Sequence, residues 1–220
     1  MNLSTIVLLV VLLFTGARDL RAQEQTAGEL SRRLLQSIFE IPETEHYPVF
    51  MREQIVYLEG AISSDKAVVE FVDGFEGQPG CQNFITTRLR EGIPVMTIFS
   101  EVLKKGFYDR TQNEIETKLW LAWGLTYEIT FLREFPASGT LVENEKLDSY
   151  GEEHTKISAE MALRVTRPLL DLGYEVPKPL LSPLYTVESS CPDYLTTKKC
   201  PDLEIQLRNY FLNRQTRYND

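Results

Sequence analysis

Glu128 is the one charge inside an otherwise apolar or neutral stretch, Leu119 to Leu132 (LWLAWGLTYEITFL). A carboxyl in such a setting is costly unless it is paired or protonated, and a protonated one can serve as an acid or orient a ligand. The alternative, which the sequence favours, is that Glu128 lies on an exposed strip or pairs with a basic side chain such as Arg164 or Arg167. The same stretch carries Trp120, Trp123, Tyr127 and Phe131. On a helix these rings form one aromatic stripe. Such a stripe is more often core than pocket, yet large rigid rings also leave gaps that wall an apolar cavity. Trp120, Trp123, Tyr127, Glu128 and Phe131 are therefore the candidate ligand-binding residues.

Other chemistries find little support. The two histidines, His46 and His154, lie in separate segments. A di-metal carboxylate bundle needs Glu-x-x-His pairs on facing helices. Glu43-Thr-Glu-His46 has that spacing but falls between Pro42 and Pro48, and Gly151 stands where the second glutamate would be. Both histidines read as solvated loop residues, and no metal ligand set or cofactor is expected. There is no Gly-x-Ser-x-Gly elbow. The stretch 73–80 (DGFEGQPG) lacks the Gly-Lys-Ser/Thr ending of a phosphate loop, and Phe75 and Gly77 occupy positions where a calcium loop needs oxygen donors. No catalytic residue is assigned.

The elements that must position the stripe read as helices. Leu30, Leu34, Leu35, Ile38 and Phe39 recur at helical spacing up to Pro42. A second helix follows Pro48 with Phe50, Ile55, Leu58 and Ile62 inward. Ser64 then reads as the cap of a third, carrying Ala67, Val68, Phe71, Val72 and Phe75. Residues 81–92 read as a short helix closed by Gly92, and Val95, Ile98, Phe99, Val102 and Leu103 as a helix ending at Gly106. Thr111-Gln-Asn-Glu114 has the form of a capping box and opens the aromatic stretch. That stretch also alternates as a strand over 125–132; the cap and the length favour helix. Residues 136–151 read as surface loop. Ile157, Met161, Val165, Leu169 and Leu172 mark a further helix, kinked at Pro168 and ended by Gly173. Pro177, Pro179 and Pro183 imply an extended run over 176–190, and a last helix begins at Pro201.

The N-terminus sets the compartment. An apolar run from Ile6 to Phe14, followed by small residues, has the pattern of a cleaved export signal and is too short to span a bilayer. With residues 1–22 removed, 198 residues remain, and the net charge moves from −9 to −10 through loss of Arg18, Asp19 and Arg21. An acidic chain without a basic block is repelled by phosphate backbones, so nucleic acid is not an expected partner, and no further stretch is built to span a membrane. In an oxidising compartment Cys191 and Cys200 form the natural disulfide, leaving Cys81 over.

One likeness adds to this reading. Phe39-Glu-Ile-Pro42, Gln54-Ile-Val-Tyr-Leu58, Ser64-Asp65 with Val68-Val69, then Pro79-Gly-Cys-Gln-Asn-Phe84, Leu89, Gly92 and Phe99 resemble the insect allergen-related repeat family of midgut microvillar proteins. The resemblance spans residues 35–103, about a third of the chain, and rests mostly on apolar positions. It implies a secreted helical capsule around a lipid. No second repeat follows in 110–220, and the Cys191/Cys200 pair is foreign to the pattern. The expectation is an all-α fold: a signal at 1–22, one domain of about seven helices at 23–175, and a Pro-rich, disulfide-closed extension at 176–220. The expected function is that of a secreted, soluble protein that binds a lipid or another apolar small molecule. The alternative is a secreted protein–protein interaction factor without enzymatic activity.

Overall fold

In the computed structural model the described residues are 26–73, 84–134, 147–198 and Ile205. The stretch expected to be an export signal, most of 73–80, Cys81, residues 135–146, Cys200 and the expected last helix apart from Ile205 lie outside them. Among the described residues, no helix is long and apolar enough to cross a membrane.

The chain enters through α1 (Ala27–Phe39). The Thr26 hydroxyl accepts from the Glu29 N–H at 3.2 Å, while the Glu29 carboxylate accepts from the Thr26 N–H at 3.0 Å. This reciprocal cap satisfies two amides that a helix start leaves open, and it holds the Glu29 carboxyl below its usual range. Thr26→Ala is expected to lower stability by about 1 kcal/mol, read as a shifted urea midpoint at constant slope; an unmoved midpoint would show that the cap contributes nothing. Leu30, Leu34, Leu35 and Ile38 are buried, as their spacing predicts. A 3₁₀ turn (Ile41–Glu43) carries Pro42 in its first positions. The next helix, α2 (Val49–Ser63), starts directly after Pro48 and buries Phe50, Met51, Gln54, Ile55 and Leu58.

The expected all-helical plan fails between residues 64 and 99. Ser64 ends α2 instead of starting a helix, its hydroxyl donating back to the Gly60 carbonyl at 2.8 Å, and Asp65 turns the chain at φ 57°. Three strands follow: β1 (Val68–Val72), β2 (Ile85–Arg90) and β3 (Ile93–Phe99). Their order is β1-β3-β2, with β3 parallel to β1 and antiparallel to β2. The reason is local. These segments are rich in Val, Ile, Thr and Phe, which fit a pleated surface better than a helix. Glu91 (φ 54°) and Gly92 (φ 80°) form a two-residue hairpin turn with both residues left-handed, so Gly92 serves a hairpin and not a helix end. Pro94 lies opposite Leu89, one residue before β1 pairing begins at Val68–Val95. Its missing N–H therefore breaks no ladder bond.

A short α3 (Ser100–Leu103) continues through a π-helical turn (Lys104–Tyr108) into α4 (Asp109–Thr111). Gln112 reverses the chain at φ 50°. The residue that caps the central helix is Asn113, not Thr111: its Oδ1 accepts from the Glu116 N–H at 3.1 Å. Helix α5 (Glu114–Glu134) contains the whole aromatic stretch, so the strand alternative for 125–132 is not realised. Seven residues of that stretch are fully or almost fully shielded on several sides of the helix (Leu119, Leu121, Ala122, Leu125, Thr126, Ile129 and Thr130), which places α5 at the centre of the core.

Helix α6 (Leu147–Met161) begins inside the segment expected to be loop. It runs through a second π turn (Ala162–Thr166) into α7 (Arg167–Asp171), which Gly173 closes at φ 85°. Pro168 has no N–H to give to Arg164, and the helix widens there into the π turn. The run expected to be extended is instead α8 (Lys178–Ser190). Pro179 stands in its first turn, where a proline removes no helical bond. Pro183 is interior, and tertiary packing overrides its cost. Leu184 and Val187 join Ala159, Ala162, Cys191 and Tyr194 in a second apolar cluster against α6. The last described helix, α9 (Tyr194–Thr197), is tied back by an ion pair from Lys198 to Glu160. Cys191 is buried and disulfide-bonded; since Cys81 and Cys200 both lie outside the described residues, its pairing with Cys200 stands as a proposal. The described fold is thus mostly helical with a three-stranded sheet.

Candidate functional site

The expected stripe divides into two rows. Positions 123, 127 and 131 lie four apart on α5, and so do 120, 124 and 128; the two rows face different neighbours. In the first row Trp123 stacks on Tyr127 at 5.5 Å between ring centroids. His154, from α6, stacks on Tyr127 at 5.7 Å and on Phe131 at 4.8 Å. The Tyr127 hydroxyl is hydrogen-bonded to His154 Nδ1, and Trp123 Nε1 donates to Thr166 Oγ1, in the second π turn, at 3.4 Å. A ladder of four rings thus fixes α6 against α5.

Trp120 does not belong to this ladder. It meets Phe107, in the first π turn, at 4.8 Å and Phe84 at 6.4 Å, and those two meet each other edge-on at 5.1 Å. One turn along the same row, Gly124 lets β2 approach the helix backbone: a Cβ built there would lie 2.7 Å from Phe84 Cζ and 3.2 Å from Ile85 Cγ2. A further turn brings Glu128 to Thr87. The row Trp120–Gly124–Glu128 therefore runs along β2 from Phe84 to Thr87.

Glu128 has neither expected arginine. Arg164 lies over the Phe50 ring at 3.9 Å and against Glu160 at 3.5 Å, and Arg167 pairs with Glu188 at 3.1 Å. The residue keeps some contact with solvent, but its carboxyl end is enclosed, and desolvation pushes its pKa up to about 7. The Thr87 hydroxyl acts in the opposite, weaker sense. It stands near the carboxyl without a formed bond, since Thr87 Oγ1 is buried with no partner in hydrogen-bond geometry.

His154 corrects the expectation of a solvated loop histidine. It is a helix residue enclosed by rings, and burial lowers its pKa to about 4, so it is neutral at pH 7. His46 is exposed, as expected. The two histidines are not brought together, and among the described residues no group of three His, Cys, Asp or Glu could hold a metal. A shallow open hollow of about 150 Å³ lies at His46, Leu172, Gly173 and Tyr174, away from the aromatic rows. The Tyr47 and Tyr174 rings stand 5.4 Å apart beside it, and burial together with the Tyr174 hydroxyl raises the Tyr47 pKa.

Sequence reasoning missed Thr87, Phe84, Phe107 and the burial of His154. Fourfold spacing alone would have separated the two rows; the identity of the facing residues depends on a sheet that was read as helix. Comparisons of the chain with protein-family models, curated proteins and solved structures find no match.

Proposed function

We propose that this is an exported, non-enzymatic protein that recognises another macromolecule through its surface. One observation carries the reading: the aromatic side chains that would wall an apolar cavity are occupied ring against ring. Trp123, Tyr127 and Phe131 are stacked along His154, and Trp120 is closed by Phe84 and Phe107. Trp120 and Phe131 are buried and the other rings half-buried; rings packed face to face or edge to face in this way contribute stability and leave little room for a ligand between them. Within the span of the resemblance, Val68–Val72, Ile85–Arg90 and Ile93–Phe99 are strands and not the helices such a capsule would need.

The surface offers apolar contact area. Val49, Val56 and Tyr57 are each at least half exposed on α2, and the Arg133 guanidinium lies over the Tyr57 ring at 4.6 Å. Aromatic and arginine side chains of this kind are enriched where proteins meet.

Native mass spectrometry of the purified full-length product, followed by solvent extraction, tests the reading. The expected result is the mass of the polypeptide alone and an extract free of lipid. A stoichiometric lipid or other apolar molecule carried through purification would overturn it in favour of the enclosed-ligand function.

A further inference from the structure

The ring ladder between α5 and α6 holds a phenol hydrogen-bonded to an imidazole: the Tyr127 hydroxyl meets His154 Nδ1. The phenol is the stronger acid of the two and the imidazole nitrogen the stronger base. The hydroxyl therefore donates, and Nε2 carries the histidine's own proton. Burial keeps His154 neutral at pH 7, so Nδ1 is able to take a proton. One turn back along α5, the Trp123 ring stacks on Tyr127 with 5.5 Å between centroids and 25° between planes. Its Nε1–H donates to Thr166 Oγ1 at 3.4 Å. A hydroxyl is too weak a base to deprotonate an indole, so an oxidised Trp123 keeps that proton and stays a strong oxidant. Trp123 and Tyr127 are both half-buried, and each keeps some contact with solvent. Phe131 is buried and packs against the imidazole at 4.8 Å. A phenyl ring is far harder to oxidise than an indole or a phenol, so a missing electron is not passed beyond Tyr127.

We propose that Trp123, Tyr127 and His154 form a proton-coupled radical relay: a one-electron oxidant of the peroxyl-radical class draws an electron from Tyr127 through Trp123, and the phenolic proton crosses to His154 Nδ1. Each step balances. The oxidant takes one electron from the Trp123 indole and leaves as a peroxide anion, which water protonates. The indole radical cation regains its electron from Tyr127. The Tyr127 O–H bond breaks as an N–H bond forms at His154 Nδ1, leaving a neutral phenoxyl radical beside an imidazolium. One electron from a thiol or enediol reductant, with the same proton returning from Nδ1, restores the pair. The hydrogen bond is decisive because an oxidised phenol is a far stronger acid than an imidazolium, even one whose pKa burial lowers to about 4. A tyrosine without such a base has to give its proton to water, a weaker base, and is oxidised more slowly. The relay lies in the packed rings and does not depend on the surface-binding reading above.

Flash photolysis at neutral pH, with a photogenerated ruthenium(III) polypyridyl complex as the one-electron oxidant, tests this on the intact chain. The phenoxyl radical is followed by its transient absorption. The wild type is expected to show a fast phase of phenoxyl formation, ahead of a slow phase from exposed tyrosines such as Tyr57 and Tyr185. Tyr127→Phe and His154→Phe each keep a ring in the ladder, and in both the fast phase is lost while the slow phase remains. In Trp123→Phe the fast phase slows, because the stacked indole no longer carries the electron. A further readout needs no substitution: in the wild type the fast phase runs slower in heavy water, since the O–H bond breaks as the electron leaves. A wild type without a fast phase, or one whose fast phase shows no solvent isotope effect, would overturn the relay. So would a fast phase that survives in Tyr127→Phe or His154→Phe, or that is unchanged in Trp123→Phe.

Discussion

Gly124→Val is expected to destabilise the fold by on the order of 3 kcal/mol, among the larger effects available to a single substitution here. Any Cβ at this position enters space held by Phe84 Cζ (2.7 Å), Phe84 Cε2 (2.9 Å) and Ile85 Cγ2 (3.2 Å). The Phe84 ring is the far end of its side chain and would ordinarily turn away, but Phe107 and Trp120 already pack against it. Ile85 Cγ2 lies close to the backbone of β2 and moves only with the strand. Gly124→Ala sets two effects against each other. Alanine gains about 1 kcal/mol of helix propensity over glycine, and the clash takes about 1–3 kcal/mol, so a net loss of about 1 kcal/mol is expected. The double mutant Phe84→Ala/Gly124→Ala locates the cause. If the ring is the obstacle, the alanine at 124 becomes neutral or stabilising once the ring is gone. Strict additivity in urea denaturation, within about 0.5 kcal/mol, would show that Gly124 and Phe84 do not meet as described.

This contact also shows where the sequence was legible and where it was not. Helices α1, α2 and α5 carry long periodic apolar faces with caps or prolines at their starts, and each was found near its expected place. The sheet escaped because its segments are short: over five to seven residues, Val68–Val72 or Ile93–Phe99 satisfy a helical pattern as readily as a strand. What decides is pairing with partners distant in sequence, such as Val69 with Met96. Prolines misled in the opposite direction over 176–190, because Pro179 falls in the first turn of α8 and the buried side chains Leu180, Leu184 and Val187 hold the rest. In the site, Glu128 was recognisable as an anomaly from its apolar neighbours alone. Its facing residue was not, because Thr87 belongs to a strand. His154 was misread for the same reason in reverse: the apolar spacing begins only at Ile157, while the helix it belongs to starts at Leu147, nearly three turns earlier, and carries the imidazole into the rings of α5.

Glu128 on one row of α5 and His154, packed from α6 against the other, have opposing pH signatures, and their difference leads to the second large effect. Glu128 has a folded pKa raised to about 7 from 4.5. Its folded form binds more protons between those values, so its contribution to stability is complete below pH 4.5, declines as pH rises and levels off above about 7. His154 has a folded pKa lowered to about 4 from 6.5. Its contribution is complete above pH 6.5 and is lost as pH falls toward 4. Each shift corresponds to about 3 kcal/mol across its window. Between pH 4.5 and 6.5 the two slopes have opposite sign and similar size, so together they leave global stability nearly flat. Glu128→Gln removes one of them. The variant is expected to be about 3 kcal/mol more stable than the wild type at pH 8, about equal to it near pH 4.5, and to lose stability steadily as pH falls from 6.5, where the wild type does not. His154→Phe keeps a ring between Tyr127 and Phe131 and gives the mirror image, a stability that declines from pH 4.5 to 7, on top of a constant loss from the hydrogen bond between the Tyr127 hydroxyl and His154 Nδ1. Urea denaturation of the three proteins at pH 4.5, 5.5, 6.5 and 8 separates these cases. If Glu128→Gln tracks the wild type at every pH, the carboxyl is solvated in the folded chain, and α5 does not hold it under β2.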